Sequence, residues 1–530
     1  MHKVAIIGIA LAATLVILLL FGTMYFGVMA PSSLMASKEM AISSPSDFGV
    51  RHSTDSVNKI SSTGSAESIR APSPKTPSVP DAMYFEDYGT NVFVKSSEDR
   101  LSTFALDVDT ASFTIAKNYI MRGMLPPTDA IRPEEFINYF SQEYSNPQNE
   151  DFTIYGEGAK SPFGDDIYYL KIGVKAKEAE KRLPVKLTFV VDVSGSMNTD
   201  NRLGLVKKSL RYLVDQLDEQ DEIGIVKYNT EATIVNRHRT LENKQQILNA
   251  IDSLSAGGST NAEDGLILGY ELANEAFDSD YSNRVILLSD GVANVGNTDA
   301  DSILGQLKSY KEKGIGLSAI GVGLGNYNDV LLEQIADKAD GNYAYVNDFN
   351  EAKRVFSEQL TETLQVAAYD AKIQVDFNPD VVSEYRLIGY ENRAIEDNSF
   401  RNDEEDAGEL GAGHEATAIY ELKLKNTNSI AGIGTVSLRW KDSDTKLAKE
   451  ITREFTGSKD IHQNFYDASE RFRLSVAVAR FAQILKLSHP PPSINTVYDI
   501  IQNIPPLDDT ETDLGTVVYN AKRLIELEQR

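Results

Sequence analysis

The sequence predicts an α/β protein. A doubly wound domain with a mainly parallel sheet spans residues 185–365. An N-terminal α+β segment (84–180) and a β-rich C-terminal domain with terminal helices (366–530) flank it. Three observations carry this prediction. Short apolar β-type runs alternate with helical stretches from about residue 187. An apolar strand there ends in Asp192-Val193-Ser194-Gly195-Ser196. Residues 366–460 change to apolar/polar alternation in short runs. A chain of 530 residues has room for roughly three or four domains of ordinary size.

The chain opens with an apolar run. No charge occurs from Val4 to Ala36, and Val4–Met29 exceeds the roughly 20 apolar residues needed to cross a bilayer as a helix. Lys3 and the amino terminus precede it, so the expected topology leaves the N-terminus in the cytoplasm and the folded part outside. Residues 1–30 are therefore expected to be an uncleaved transmembrane anchor. Secretion after cleavage near Val28-Met29-Ala30 is the alternative, disfavoured because the run is longer than a usual signal core. Residues 31–83 follow, rich in Ser, Ala and Pro, as a disordered tether.

Composition removes several function classes. Lys+Arg of 52 against Asp+Glu of 78 gives a net charge of −26, which opposes broad binding to nucleic acid or anionic lipid. The absence of cysteine removes disulfides, thiolate catalysis and Cys-based zinc sites. The six histidines include no helical ligand pair. No phosphate-binding G-x-x-x-x-G-K-[ST] loop occurs, and Gly321-Val322-Gly323-Leu324-Gly325 has the wrong spacing for a dinucleotide fingerprint, so no nucleotide is expected.

In the central domain Leu187–Val191, Ile223–Tyr228, Val285–Leu288 and Ile315–Ile320 read as buried strands. Leu203–Leu217, Ile247–Leu254, Asn261–Phe277, Ile303–Lys313 and Val330–Ala339 read as helices between them. Ligands of such sheets sit at the carboxyl ends of the strands. There the D-x-S-x-S loop projects one carboxylate and two hydroxyls the same way, an all-oxygen set suited to Mg²⁺, Mn²⁺ or Ca²⁺. Gly257-Gly258-Ser259-Thr260-Asn261 and Leu287-Leu288-Ser289-Asp290-Gly291 add a hydroxyl and a carboxylate where strand ends meet.

These residues resemble the von Willebrand factor type A (VWA) domain, a Rossmann-like fold, and its metal-ion-dependent adhesion site. The resemblance covers about 185–365 and includes Gly314-Ile315-Gly316 and Gly325-Asn326-Tyr327-Asn328. It implies metal ligation by Asp192, Ser194, Ser196, Thr260 and Asp290, the hydroxyls binding directly or through water and the two carboxylates mainly through water. Mg²⁺ is the cation expected first. The implied function is divalent-cation-dependent binding of a protein partner whose Asp or Glu carboxylate completes the coordination, in adhesion or complex assembly at a bacterial cell envelope, and not catalysis. Segments such as Leu101–Ser112, Leu125-Pro126-Pro127 and Gly408–His414 resemble those bracketing the domain in the bacterial YfbK-type family.

Two alternatives belong to other classes. Asp107-Val108-Asp109-Thr110 follows an apolar strand, as in metal-dependent phosphohydrolases where Asp107 would be nucleophile and Asp109 acid/base, but the segment lacks room for the parallel sheet this requires. A metal-independent envelope scaffold is the other. Asp403-Glu404-Glu405-Asp406 reads as a solvated turn and His414 as structural. Tyr466–Leu487 reads as a helix with Leu474, Val478, Phe481 and Leu485 on its core face, stopped by Pro490-Pro491-Pro492 and followed by a last helix at Thr516–Leu527.

Overall fold

In the computed structural model, residues 85–528 are described, save 107, 180, 292–299, 324–328, 340, 357–364, 426–431, 444 and 488–493. The expected anchor and tether, Asp107, Gly325–Asn328 and Pro490–Pro492 lie outside the described residues. No described helix is long and apolar enough to cross a membrane.

The strands, in chain order, are β1 (Val94–Lys95), β2 (Leu101–Ala105), β3 (Phe152–Lys160), β4 (Tyr168–Ala176), β5 (Val185–Asp192), β6 (Glu222–Tyr228), β7 (Ala232–Thr240), β8 (Ser282–Ser289), β9 (Ile315–Val322), β10 (Tyr343–Val346), β11 (Val366–Phe377), β12 (Val382–Ile388), β13 (Gly408–Gly411), β14 (Glu415–Leu424), β15 (Gly432–Asp442), β16 (Ala448–Thr456) and β17 (Ile461–His462). The central domain is one six-stranded sheet in the order β10-β9-β8-β5-β6-β7, parallel except for β7. β5 shows why both faces are covered. Leu187, Phe189 and Val191 enter one core with the Arg202–Gln216 and Lys244–Ser253 helices, while Val190 enters another with the Ala262–Glu275 and Ala300–Glu312 helices.

The flanking segments are not separate domains, and here the division at 84–180 and 366–530 needs correction. One six-stranded sheet runs β1-β12-β14-β4-β3-β17, and β2 joins the sheet of β13, β11, β15 and β16 by pairing antiparallel with β11. Both sheets therefore interleave strands from before and after the central domain. Their facing sides share one core, including Leu170 and Ile172 of β4 and Val375 and Leu438 of the other sheet. The other side of the first sheet is covered by the Ala111–Met121, Pro133–Asn138, Glu470–Leu485, Ile494–Gln502 and Asp509–Glu528 helices. This is why β4 is buried along its whole length. The Glu470–Leu485 helix starts where Ser469 Oγ accepts the Phe472 N–H at 3.1 Å. Its predicted stripe is buried, yet so is nearly every other residue, Arg480 included.

A half-buried histidine, His238, and a buried one, His414, couple this fold to acid. His238 Nε2 meets Thr188 Oγ1 at 2.8 Å, and His414 Nδ1 accepts the Gly411 N–H at 3.1 Å. Burial, with lesser repulsion from Lys186 for His238 and from Lys175 and Arg284 for His414, lowers each pKa from 6.5 to about 4. The unfolded chain takes up these protons at pH 6.5 and the folded one only near 4, so the stability is full above 6.5 and falls toward 4. By pH 5 the loss is about 2 kcal/mol per histidine. Denaturation midpoints at pH 7.5 and 5 check this: the fall at pH 5 is expected to be smaller, or reversed, in the His238→Gln, His414→Gln double variant.

Candidate metal centre

β5 is flanked by β6 and β8 in parallel register, with Asp192 opposite Tyr228 and Val191 opposite Leu288. The loops leaving the three strands thus open at one edge of the sheet. Asp192 Oδ1 accepts the Ser194 N–H at 2.8 Å, folding the loop back so that Ser194 Oγ and Ser196 Oγ lie 3.0 Å apart. Ser289 Oγ donates to Asp192 Oδ2 at 2.9 Å and itself accepts the Gly291 N–H at 3.1 Å. These bonds fasten the end of β8, and Asp290 with it, to the D-x-S-x-S loop. Gly291, at φ +91°, makes the sharp exit that side chains rarely adopt.

The Gly257–Asn261 loop is tied to the same place by backbone bonds. Gly257 N–H donates to Val193 O at 2.7 Å, Gly195 N–H to Gly258 O at 3.0 Å, and Asn261 N–H to Asn229 O at 2.8 Å. Thr260 is buried in that loop, and Asn261 then caps the Ala262–Glu275 helix through the Asp264 N–H. All five residues singled out in the sequence therefore stand on three neighbouring loops at one end of the sheet. Asp192, Ser194, Thr260 and Asp290 are buried and Ser196 is half-buried.

The electrostatics are unbalanced. Burial raises the Asp192 pKa from 3.8 to about 6, and the charge of Asp290 adds to the rise against the hydrogen bonds of Ser194 and Ser289. Asp290 Oδ2 accepts from Arg202 Nη1 at 2.6 Å, while Oδ1 is buried with no hydrogen-bond partner. Two oxygens at right angles on Mg²⁺, each at 2.0–2.1 Å, are about 2.9 Å apart, which is close to the Ser194–Ser196 spacing of 3.0 Å. The hydroxyl pair, the orphaned carboxylate oxygen and the ill-solvated Asp192 all fit a hard divalent cation.

Two participants escaped the sequence analysis. Ser289 was visible only as a neighbour of Asp290, and Arg202, which precedes the expected Leu203–Leu217 helix, was not singled out at all. Their roles appear once β8 stands beside β5.

The D-x-D-x-T segment is placed differently from its phosphohydrolase reading. β2 before it pairs antiparallel with β11, so it does not end a parallel strand. Asp109 Oδ1 accepts the Tyr343 N–H at 2.8 Å, pinning edge strand β10, and Oδ2 faces Arg393 Nη2 at 3.3 Å. Asp109→Ala is therefore expected to cost about 1–3 kcal/mol of stability and to leave Mg²⁺ affinity unchanged, checked by denaturation and calorimetry. In the acidic loop Asp403 pairs with Arg439, and Asp406 lies near Asp370 and Glu409.

Comparison with known proteins agrees with this architecture. The chain is 35% identical over 435 residues to the Escherichia coli (strain K12) protein described as Uncharacterized protein YfbK, covering 77% of this chain and 75% of that one. The chain belongs to the YfbK family of VWA-domain proteins. Family profiles match at residues 186–358 (von Willebrand factor type A domain), 362–504 (Uncharacterized protein YfbK, C-terminal) and 79–171 (von Willebrand factor). The human inter-alpha-trypsin inhibitor heavy chain H3 is 28% identical over 200 residues, 36% of this chain and 22% of that one. A solved von Willebrand factor type A protein from Catenulispora acidiphila aligns over 69% of this chain and 93% of its own at 15% identity, with a TM-score of 0.40. VWA domains commonly serve adhesion or protein–protein interaction and often bind a divalent cation. The five residues singled out in the sequence lie within the stretch matched by the VWA profile.

Proposed function

We propose that this YfbK-family protein binds a protein partner through a divalent cation held by Ser194, Ser196 and Thr260, with Asp192 and Asp290 behind them. The observation that carries the reading is a pair of hydroxyls 3.0 Å apart on the loop after β5, with Asp290 Oδ1, on the neighbouring loop after β8, buried without a hydrogen-bond partner. A cation at this place supplies an electrophilic centre that accepts a carboxylate oxygen. The chain's own part is to hold three neutral hydroxyls toward that position and to keep the two carboxylates behind them through Ser289, the Ser194 N–H and Arg202. Neutral ligands leave the cation's charge available to an anionic partner, which suits an Asp or Glu side chain even on a protein of net charge −26. The apolar Val4–Met29 run supports anchorage in a membrane with the folded part outside the cytoplasm, at a bacterial cell envelope.

Calorimetric titration of Mg²⁺, Mn²⁺ and Ca²⁺ into the full chain tests the reading. Saturable binding is expected, weakened at least tenfold by Thr260→Ala with the far-ultraviolet spectrum unchanged. Equal binding by wild type and variant, or none by either, would sink it and leave a scaffold that needs no metal.

A further inference from the structure

Arg202 is an unusual neighbour for a cation site. It begins the Arg202–Gln216 helix, is 6% exposed, and aims its guanidinium inward at Asp290, with Nη1 2.6 Å from Oδ2. The fold makes room for it. Its stem lies across Gly323 at the end of β9, where a Cβ would come within 2.5 Å of Arg202 Nε and 2.7 Å of its Cδ, and where the backbone has φ +80°. The glycine of the Gly321-Val322-Gly323 turn, which matches no nucleotide fingerprint, thus has a use: it seats the arginine.

The charges explain what such a seat does. Asp192 and Asp290 bring two negative charges into a buried space, and Arg202 neutralises one of them through a single oxygen of Asp290. A divalent cation would meet a net charge of −1 instead of −2, and the loaded cluster would carry +1 instead of 0. The first change weakens cation binding, and the second strengthens attraction for an anionic ligand.

We propose that Arg202 is a built-in counter-cation of the site, holding Asp290 when no metal is bound and leaving the loaded site net positive for a carboxylate-bearing partner. This rests on the cation-binding reading given above. Arg202 acts through Asp290 and is a positioning and charge-setting residue, not a ligand. Its removal destabilises the metal-free protein while tightening Mg²⁺ binding, a pairing that a purely structural ion pair would not produce.

The test uses the full chain and Mg²⁺ alone, with calorimetry for affinity and thermal unfolding with and without Mg²⁺ for stability. Arg202→Gln removes the charge, Arg202→Met removes it while keeping the stem over Gly323, and Arg202→Lys retains it. The two charge-free variants are expected to bind Mg²⁺ at least about tenfold more tightly than wild type. Their metal-free Tm is expected to be lower, with most of the difference recovered at saturating Mg²⁺, and the Lys variant is expected to stay within about threefold of wild-type affinity. Unchanged or weaker Mg²⁺ binding by the charge-free variants would overturn the proposal. So would failure of both to fold at every Mg²⁺ concentration, because the cation would then be unable to replace the guanidinium. A wild type that binds no Mg²⁺ is a different failure: it removes the cation-site reading itself, and the counter-cation with it.

Discussion

Asp192→Asn will make the metal-free protein more stable at pH 7.5 while abolishing its stabilisation by Mg²⁺. The Asp192 carboxyl is fully buried, and its pKa is raised from 3.8 to about 6. A raised carboxyl pKa favours folding at low pH, below 3.8, and that contribution is lost as the pH rises through 6. At pH 7.5 the ionised group therefore costs the metal-free fold about 3 kcal/mol. Asparagine keeps an oxygen to accept the Ser194 N–H, and its amide can pair with Ser289 Oγ, so most of that cost is relieved without opening a cavity. The expected gain is about 1–3 kcal/mol at pH 7.5, shrinking toward pH 5. Wild type is expected to recover the difference on adding Mg²⁺, and the variant to gain nothing. Denaturation curves at the two pH values, with Mg²⁺ and with chelator, measure all of this. A variant less stable than wild type under every condition would mean that Asp192 is a structural hydrogen-bonding group and not a cation-facing charge.

The largest loss of stability is expected from Arg480→Met. Arg480 is fully buried, donating from Nη2 to Asp165 Oδ2 at 2.7 Å and to Tyr169 Oη at 2.5 Å, with Glu421 Oε1 at 3.9 Å. Its guanidinium also lies 4.7 Å from the centre of the Phe163 ring. Glu421 keeps Arg386 and Gln483 as partners, but removing the Arg480 charge leaves a buried carboxylate undercompensated. Breaking a buried pair from one side costs about 3–5 kcal/mol. Chemical denaturation reads the loss directly, and a change under about 1 kcal/mol would show that Glu421 is already neutralised from the other side. Mg²⁺ binding should be unaffected in the folded variant, since Arg480 belongs to the helical layer and not to the VWA core.

The same two regions show what the sequence does and does not reveal. β10, only four residues long, was not anticipated, whereas β5, β6, β8 and β9 were legible because each is a largely apolar run followed by a segment long enough for a crossover, which leaves little choice but a mainly parallel sheet. β7 was not, because Ala232–Thr240 carries Arg237, His238 and Arg239 and pairs only at the sheet edge, where polar faces are tolerated. Alternation in Ala371–Phe377 announces a strand but not its neighbours. Nothing local says that Ile373 will sit opposite Phe104, or Ala418 opposite Ile172. The interleaving of the two flanking segments is a long-range pairing, and periodicity carries no information about partners. In the Glu470–Leu485 helix the apolar stripe was readable, whereas the burial of Arg480 was not, since it depends on Asp165 and Tyr169 arriving from far upstream.

The site divides in the same way. Asp192, Ser194 and Ser196 could be read from spacing on one loop, and Thr260 and Asp290 from their places after a glycine turn and a strand. Arg202 and Ser289 gain meaning only from the neighbour across the sheet. Asp109 illustrates the reverse. Its motif suggests chemistry, while its oxygen fastens β10.

Whether the loops after β5 and β8 hold a cation can be seen in crystals of the full chain grown with Mn²⁺, with anomalous scattering recorded at the manganese edge. One strong anomalous peak is expected within coordination distance of Ser194 Oγ and Ser196 Oγ, on the side of Thr260 and Asp290. No peak there, or a peak only among Asp370, Asp406 and Glu409, where three carboxylates also approach one another, would contradict it.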